Sequence, residues 1–373
     1  MSPKRPTRRV TVLGAGSWGT VFAKVLADGG AQVTVWARRP EVAREIRETH
    51  RNTQYLPGIN LPRTVIATSS LRDSLRGAEQ LYLAVPSQTL RDNLLALKPL
   101  LPAGIPVVSL MKGVEKTTNE RMSEVIADVL GLEPERIAVA SGPNLALEIA
   151  KGQPTAAVVS SASLETAQAV AMTARNRYFR SFVNTDVVGT EFGGVLKNLI
   201  AVAIGIVDGV GYGENTKASI ITRGLVEMTD FAVAYGARPD TLSGLAGLGD
   251  LIATCQSPLS RNNTAGRLLG QGYALHEVVR QMNQTAEGLA SVAPILALAR
   301  ARGVDMPIVE QVHRVLAGTL DPKDIAPHLT TDEEPQGERT TDDTQARTGS
   351  AFRRAFQRAF GLGRDRGRGA GGA

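Results

Sequence analysis

The chain has 373 residues, 43% hydrophobic and 21% charged, a soluble globular composition long enough for two domains with their own cores. Its net charge of +6 gathers at the ends, in Lys4, Arg5, Arg8 and Arg9 and in six arginines of residues 350–373, while residues 10–320 are nearly neutral, which argues against a nucleic-acid partner. One cysteine, Cys255, excludes an intramolecular disulfide and suits a reducing cytoplasm; the charged start is not expected to be a signal peptide, and the longest apolar run, 199–207, is too short to span a bilayer.

The first strand is "RVTVLGAG", a β-branched run ending in glycines, and a helix follows over about residues 18–28. Further strands are expected at "QVTVWA", "LYLAVP", "PVVSLM", "IAVASG" and "AAVVSS". Strands separated by helical stretches indicate a parallel sheet with helices on both faces. The fold class is therefore α/β, a Rossmann-like doubly wound sheet over residues 1–187. Helical patterns dominate residues 188–320, with breaks at Gly236, Gly244, Gly249, Gly270, Gly272 and Gly303, giving an all-helical domain. Residues 321–373 are polar and low in complexity, a disordered tail without a core. Within it Phe352, Phe356 and Phe360 alternate with arginines. That spacing suits either weak membrane-surface contact through a basic amphipathic helix or a solubilising tail.

The motif "GAGSWG" places Gly14, Gly16 and Gly19 in a G-x-G-x-x-G pattern between a strand and a helix. Gly14 permits the tight turn, Gly16 lets backbone approach a pyrophosphate, and Gly19 allows close helix–strand packing; the helix N-terminus faces the phosphates. Where an NAD-preferring site carries an acidic residue at the end of the second strand, this chain has Arg38 and Arg39. Cations there suit a 2′-phosphate, so NADPH is favoured over NADH; the alternative is a solvated pair at a strand end. Lys112 in "LMKGVE" and Gly142, Pro143 and Asn144 in "SGPN" sit at later strand ends, where open α/β sheets bind ligands.

In the helical half, "FGGVLKNLIAVAIG" puts Lys197 alone in an apolar helix. The chain has nine lysines and 33 arginines, so lysine at this point is a choice; an ammonium can surrender its proton and a guanidinium cannot. Gly193 and Gly194, one turn earlier, are expected to clear space beside the Lys197 side chain. "GLAGLGDLIATC" holds Asp250 after a glycine loop, and "SRNN" places Ser260, Arg261 and Asn262 before a helix. Arg261 is the natural anion receptor, because its planar fork matches phosphate oxygens. Asp250 and Ser260 could otherwise be helix caps.

The ordered set "GAGSWGT", "YLPGINLP", "AVPS", "MKGVE", "SGPN", "GGVLKN", "GLAGLGDLIATC" and "SRN" resembles the prokaryotic-type NAD(P)-dependent glycerol-3-phosphate dehydrogenases over residues 10–320. The resemblance implies reversible reduction of dihydroxyacetone phosphate to sn-glycerol 3-phosphate, feeding glycerophospholipid synthesis in the cytoplasm, and a homodimer. It implies that Ser17, Trp18, Arg38, Arg39, Ala146, Arg261 and Glu287 contact the dinucleotide and that Lys112 contacts dinucleotide and substrate. It further implies that Gly142, Asn144, Asp250, Ser260, Arg261 and Asn262 line the substrate, with Asn198 and Thr254 nearby, and that Lys197 is the general acid/base. No metal is called for. Asn144 and Leu145 depart from the family's usual residues, as does "TAEG", which contains Thr285 and Glu287. Two other readings stand beside this one: a hydroxy-acid dehydrogenase of related architecture, and a non-catalytic NAD(P)H sensor in which Lys197 is a buried structural ion pair.

Overall fold

Strand β1 (Arg9–Leu13) is buried at four of its five positions, because helices cover both faces of its sheet. Such strands read as continuous apolar runs rather than alternating ones. The computed structural model describes residues 8–282 and 286–325; Phe352, Phe356, Phe360 and Thr285 lie outside them. The strands that follow are β2 (Gln32–Trp36), β3 (Val65–Thr68), β4 (Gln80–Leu83), β5 (Val107–Ser109), β6 (Ile137–Ser141), β7 (Thr155–Ser161) and β8 (Phe179–Asn184). They form one sheet in the order β3-β2-β1-β4-β5-β6-β7-β8. Chain order reverses at the β1/β4 pair, whose strands run parallel, and this switch point is where doubly wound sheets bind ligands.

Intervening helices are α1 (Ser17–Asp28), α2 (Pro40–Thr49), α3 (Leu71–Ser74), α4 (Leu90–Leu97), α5 (Met122–Leu130), α6 (Ala146–Ala150) and α7 (Leu164–Ala174). Val21, Leu26, Ile46 and Val170 pack with Val10, Val12 and Tyr82 on one face. Leu90, Leu94, Val125 and Ile126 pack with Leu81, Leu83 and Val107 on the other. β3 and β8 add two strands to the six expected from the sequence. The expected parallel order also breaks once, since β7 runs antiparallel to β6. The five-residue α6 is too short to carry the chain back along the sheet, so β7 re-enters from the end at which β6 left.

The helical half comprises α8 (Val187–Val210), α9 (Glu214–Ala234), α10 (Pro239–Ser243), α11 (Asp250–Gln256), α12 (Arg261–Gly270), α13 (Leu275–Gln281), α14 (Glu287–Arg302) and α15 (Pro307–Leu316). The expected glycine breaks at Gly236, Gly272 and Gly303 take positive φ. By length and composition α8 could cross a membrane, yet 83% of its most apolar window is buried inside the fold. It is apolar all round because other elements surround it. Its first turns hold the two halves together: Glu191 accepts Arg121 Nη1 at 2.6 Å and Ser123 N at 2.9 Å.

Against α12 the helix approaches through glycine. A Cβ on Gly205 would lie 2.1 Å from Asn263 O, and one on Gly266 would lie 2.1 Å from Val202 O; Gly209 and Gly270 repeat the pattern one turn later. No side chain fits there, so the crossing is backbone on backbone. We expect Gly266→Ala to lower stability by about 1–3 kcal/mol through overpacking. Gly213→Ala, whose Cβ would meet nothing within 4 Å, loses only the glycine N-cap of α9 and should cost less, about 0.5–1 kcal/mol. Urea midpoints of the two variants check this.

Candidate active site

The three motif glycines do three different jobs. Gly14 has φ +116, and a Cβ there would lie 2.4 Å from Ala84 O at the end of β4; a Cβ on Gly19 would lie 2.1 Å from Gly14 O. Gly16 instead faces open space, with nothing within 4 Å of its would-be Cβ. It also caps α1 without any side-chain hydrogen bond, leaving first-turn N–H groups for an anion. Ser17 and Trp18 are half-buried in that turn, and the Trp18 ring meets Phe22 edge-on at 5.5 Å. Ala146 opens α6 and packs against the same core as Trp18. A dinucleotide pyrophosphate fits this cradle.

The two arginines after β2 differ. Arg38 is exposed. Arg39 reaches the loop after α2, donating to Gln54 Oε1 and, at 3.3 Å, to Tyr55 Oη, with its guanidinium 5.5 Å over the Tyr55 ring.

A cluster of charge lies where the two halves meet. Lys197 Nζ donates to Thr254 Oγ1 at 2.6 Å and pairs with Asp250 Oδ1 at 3.0 Å. Lys112 Nζ pairs with Asp250 Oδ2 and donates to Gly142 O at 3.2 Å. One carboxylate thus serves two ammoniums, and Thr254 closes the ring by donating to Asp250 Oδ1 at 3.3 Å. Asp250 is 1% exposed and Lys197 is 7% exposed. Asp250 is not a helix cap; it is the first residue of α11 and follows a single π-helical turn, Leu245–Gly249. Gly247 makes the turn possible, since a Cβ there would lie 1.9 Å from Leu242 O.

The glycines before Lys197 make room, but not for Lys197. A Cβ on Gly193 would lie 2.5 Å from Ala246 O in the π turn, and one on Gly194 would meet Ser141 Oγ at 2.9 Å and Lys112 Cγ at 3.3 Å. Gly194 therefore lets Lys112 pass over α8 to reach Asp250. Burial lowers the Lys197 pKa from 10.5 to about 8, outweighing the opposing pull of Asp250, and Lys112 pushes it the same way. That drop corresponds to about 3 kcal/mol of preference for the neutral amine.

Around the cluster, Asn144 Oδ1 and Ser141 Oγ are buried without hydrogen-bond partners, acceptors that a ligand could satisfy. Sequence reasoning passed over Ser141, although it begins the "SGPN" motif; its approach to Gly194 of α8 is a tertiary contact. Ser260 does cap α12, accepting Asn263 N at 3.2 Å. Asn262 accepts Gly288 N at 3.0 Å, and Asn198 Nδ2 donates to Gly194 O at 3.2 Å. Arg261 is exposed. Glu287 opens α14; burial raises its pKa, opposed by Arg261, Lys112 and Lys197 in that order. This places Glu287 within electrostatic reach of the cluster.

Residues 9–167 match the N-terminal part, and residues 186–327 the C-terminal part, of the NAD-dependent glycerol-3-phosphate dehydrogenase family. The chain belongs to that family. It is 73% identical over 361 residues to a glycerol-3-phosphate dehydrogenase [NAD(P)+] of Leifsonia xyli, covering 95% of this chain and 98% of the relative. It is 56% identical over 304 residues to one of Streptomyces griseus, covering 82% and 90% respectively. The glycerol-3-phosphate dehydrogenase of Coxiella burnetii superposes with a TM-score of 0.82 at 37% identity, over 87% of this chain and 99% of that one. As a glycerol-3-phosphate dehydrogenase family member, the chain is an NAD(P)-dependent oxidoreductase, and its Rossmann sheet and helical half follow the family's N- and C-terminal parts.

The cluster's electrostatics can be tested directly. Lys197 is charged below about pH 8 in the fold, whereas in the unfolded chain it stays charged up to 10.5. The stability this group contributes is present above pH 10.5 and is lost as pH falls through about 8. Asp250→Asn removes the attraction that holds the value up, so Lys197 should titrate below about 8. Titration of the 13Cε resonance, assigned with Lys197→Ala, checks the direction; an unchanged or higher value would overturn it.

Proposed function

We propose that the chain catalyses the reversible NAD(P)H-dependent reduction of dihydroxyacetone phosphate to sn-glycerol 3-phosphate, with Lys197 as general acid/base. The observation that carries this reading is the buried Lys112–Asp250–Lys197 cluster at the ligand-binding end of a dinucleotide sheet. The bound nicotinamide supplies the hydride. The chain's own groups do the rest. Two ammoniums against one carboxylate leave a net positive site, which stabilises an oxyanion developing on the substrate. Lys197, ionising near pH 8, can give a proton to that oxygen and take it back in the reverse direction. Lys112, anchored by Asp250 and the Gly142 carbonyl, holds the substrate and fixes the cluster's geometry. Asn144 and Ser141 offer hydrogen bonds to substrate oxygens. Arg261, at the first turn of α12, receives the phosphate, assisted by Ser260 and Asn262.

Gly14, Gly16, Ser17, Trp18, Gly19, Ala146 and Glu287 serve the dinucleotide in this reading, with Arg38 and Arg39 at its 2′-phosphate. Arg38 has no hydrogen-bond or ion-pair partner among the described residues, and Arg39 is braced by Gln54 and Tyr55; both favour NADPH. Residues 1–187 act as the dinucleotide domain and 188–320 as the substrate and dimerisation domain of a cytoplasmic homodimer that feeds glycerophospholipid synthesis.

The decisive assay is NADPH oxidation on adding dihydroxyacetone phosphate, with a 2-oxo acid as control. Lys197→Ala should lower kcat by about 10²-fold or more while leaving cofactor binding in place, and Arg261→Ala should chiefly raise the KM for the phosphorylated substrate. Near-normal turnover of the first variant, or an unchanged KM in the second, would reject those roles. The same assay with NADH should give the lower kcat/KM; a clear preference for NADH would remove the case for Arg38 and Arg39.

A further inference from the structure

Asn52 is 1% exposed and has no part in the roles above. It lies in the loop between α2 and β3, which begins at His50 in a left-handed conformation, φ 53. The loop closes on itself, Leu61 N donating to His50 O at 2.8 Å. Within it, Tyr55 N and Leu56 N donate to Asn52 O at 3.2 and 2.8 Å, which fixes the Asn52 backbone. The side chain points away from its own loop. Its Nδ2 donates to Ala15 O at 2.9 Å and to Thr20 Oγ1 at 2.8 Å, while its Oδ1 is buried with no partner. An orphaned buried acceptor is costly. The side chain is therefore held in place by its two donor bonds.

The bond to Ala15 has a consequence for the next residue. In a trans peptide the C=O and N–H point in opposite directions. Drawing the Ala15 carbonyl inward to Asn52 turns the Gly16 N–H away from Asn52, and Gly16 itself sits where a Cβ would meet nothing within 4 Å. The opposite orientation would aim a carbonyl oxygen at an incoming phosphate.

We propose that Asn52 is the positioning residue of the dinucleotide loop: by holding the Ala15 carbonyl, it presents the Gly16 N–H to the cofactor pyrophosphate. The proposal rests on the loop's reading as a pyrophosphate site. Asn52 is buried and its side-chain bonds go to the protein, to Ala15 and Thr20, so it would act through the loop and not by direct contact. The same loop supplies Gln54 and Tyr55 to Arg39, so one segment braces both ends of the binding surface.

The test uses the full chain and the quenching of its two tryptophans, Trp18 and Trp36, on titration with NADPH. Asn52→Asp keeps the shape but loses the donors, and Asn52→Ala removes the amide without adding charge. Both should weaken NADPH binding by roughly tenfold and raise the KM for NADPH, not that for dihydroxyacetone phosphate. Binding of 2′-AMP, which lacks the pyrophosphate, should change little in either variant. Thr20→Val removes the second acceptor and keeps the Ala15 bond, so its NADPH affinity should stay within about twofold of the parent. Parental NADPH affinity in Asn52→Ala overturns the proposal, as does an equal loss of 2′-AMP, which would mark a general loosening. Failure of the parent chain to bind NADPH defeats the underlying reading instead.

Discussion

The structure depends on one buried carboxylate that two lysines share. Removing Asp250 and Lys197 from water, and Lys112 in part, is expensive, and the attraction between the three repays that cost only when the geometry is held closely. Asp250 cannot drift. The π turn before it is locked by Gly247 against Leu242 and by the close approach of Gly193 to Ala246, so backbone contact, not side-chain packing, sets where the carboxylate stands. The two lysines come from different parts of the chain, Lys112 from the loop after β5 and Lys197 from α8. The ion cluster is therefore also a joint between the sheet and the helical half, backed by the Arg121–Glu191 pair at 2.6 Å. Two ammoniums against one carboxylate leave the cluster with a net positive charge, which in the proposed reading an anionic substrate would balance.

Lysine at position 197 follows from this balance. An arginine there would keep its charge at any working pH, and its longer planar head would have to fit between Thr254 and Asp250. The ammonium instead sits where burial and a second ammonium push its pKa down and Asp250 pulls it up, with the result near 8. Near-neutral ionisation would suit the acid/base role proposed for it in both directions. Burial favours loss of the proton, and the carboxylate favours keeping it. Asp250 is thus as much a tuning group as an anchor.

Much of this was legible in the sequence where the signal is local. β1, β2 and β4 to β7 are apolar runs bounded by turn residues, and the glycine breaks of the helical half fell where they were expected. β3 and β8 were not seen. The first is four residues long with Ile66 exposed, and the second mixes apolar and polar residues without alternation and leaves Phe182 and Val183 exposed at the sheet edge. Motif order brought together Lys112, Lys197 and Asp250 as candidates, but no spacing says that one carboxylate holds both lysines. Gly193 and Gly194 were expected to clear space for the Lys197 side chain, but their neighbours are the π turn and Lys112, contacts that only the tertiary fold creates. The β7 reversal depends on how far a short helix can carry the chain. Asn52 and Ala15 meet across 37 residues, a pairing that a single sequence does not record.

The helix α8 shows why the remaining pieces have to be where they are. Its apolar circumference would suit a membrane, but each side is assigned to a different neighbour: Glu191 to α5, Gly193 and Gly194 to the π turn and Lys112, Lys197 to α11, Gly205 and Gly209 to α12. The glycine crossing with α12 has no side chains that could yield, so the two helices cannot slide without backbone collision. Arg261, Ser260 and Asn262 stand at the N-terminal end of α12, and Lys197 lies roughly two turns before Gly205 on α8. The crossing therefore fixes the distance between the group that would hold a phosphate and the group that would move a proton. In the proposed reading, a substrate with its anion and its carbonyl at a set separation would be measured against two helices locked together by their backbones, which a pair of flexible side chains on separate loops could not do.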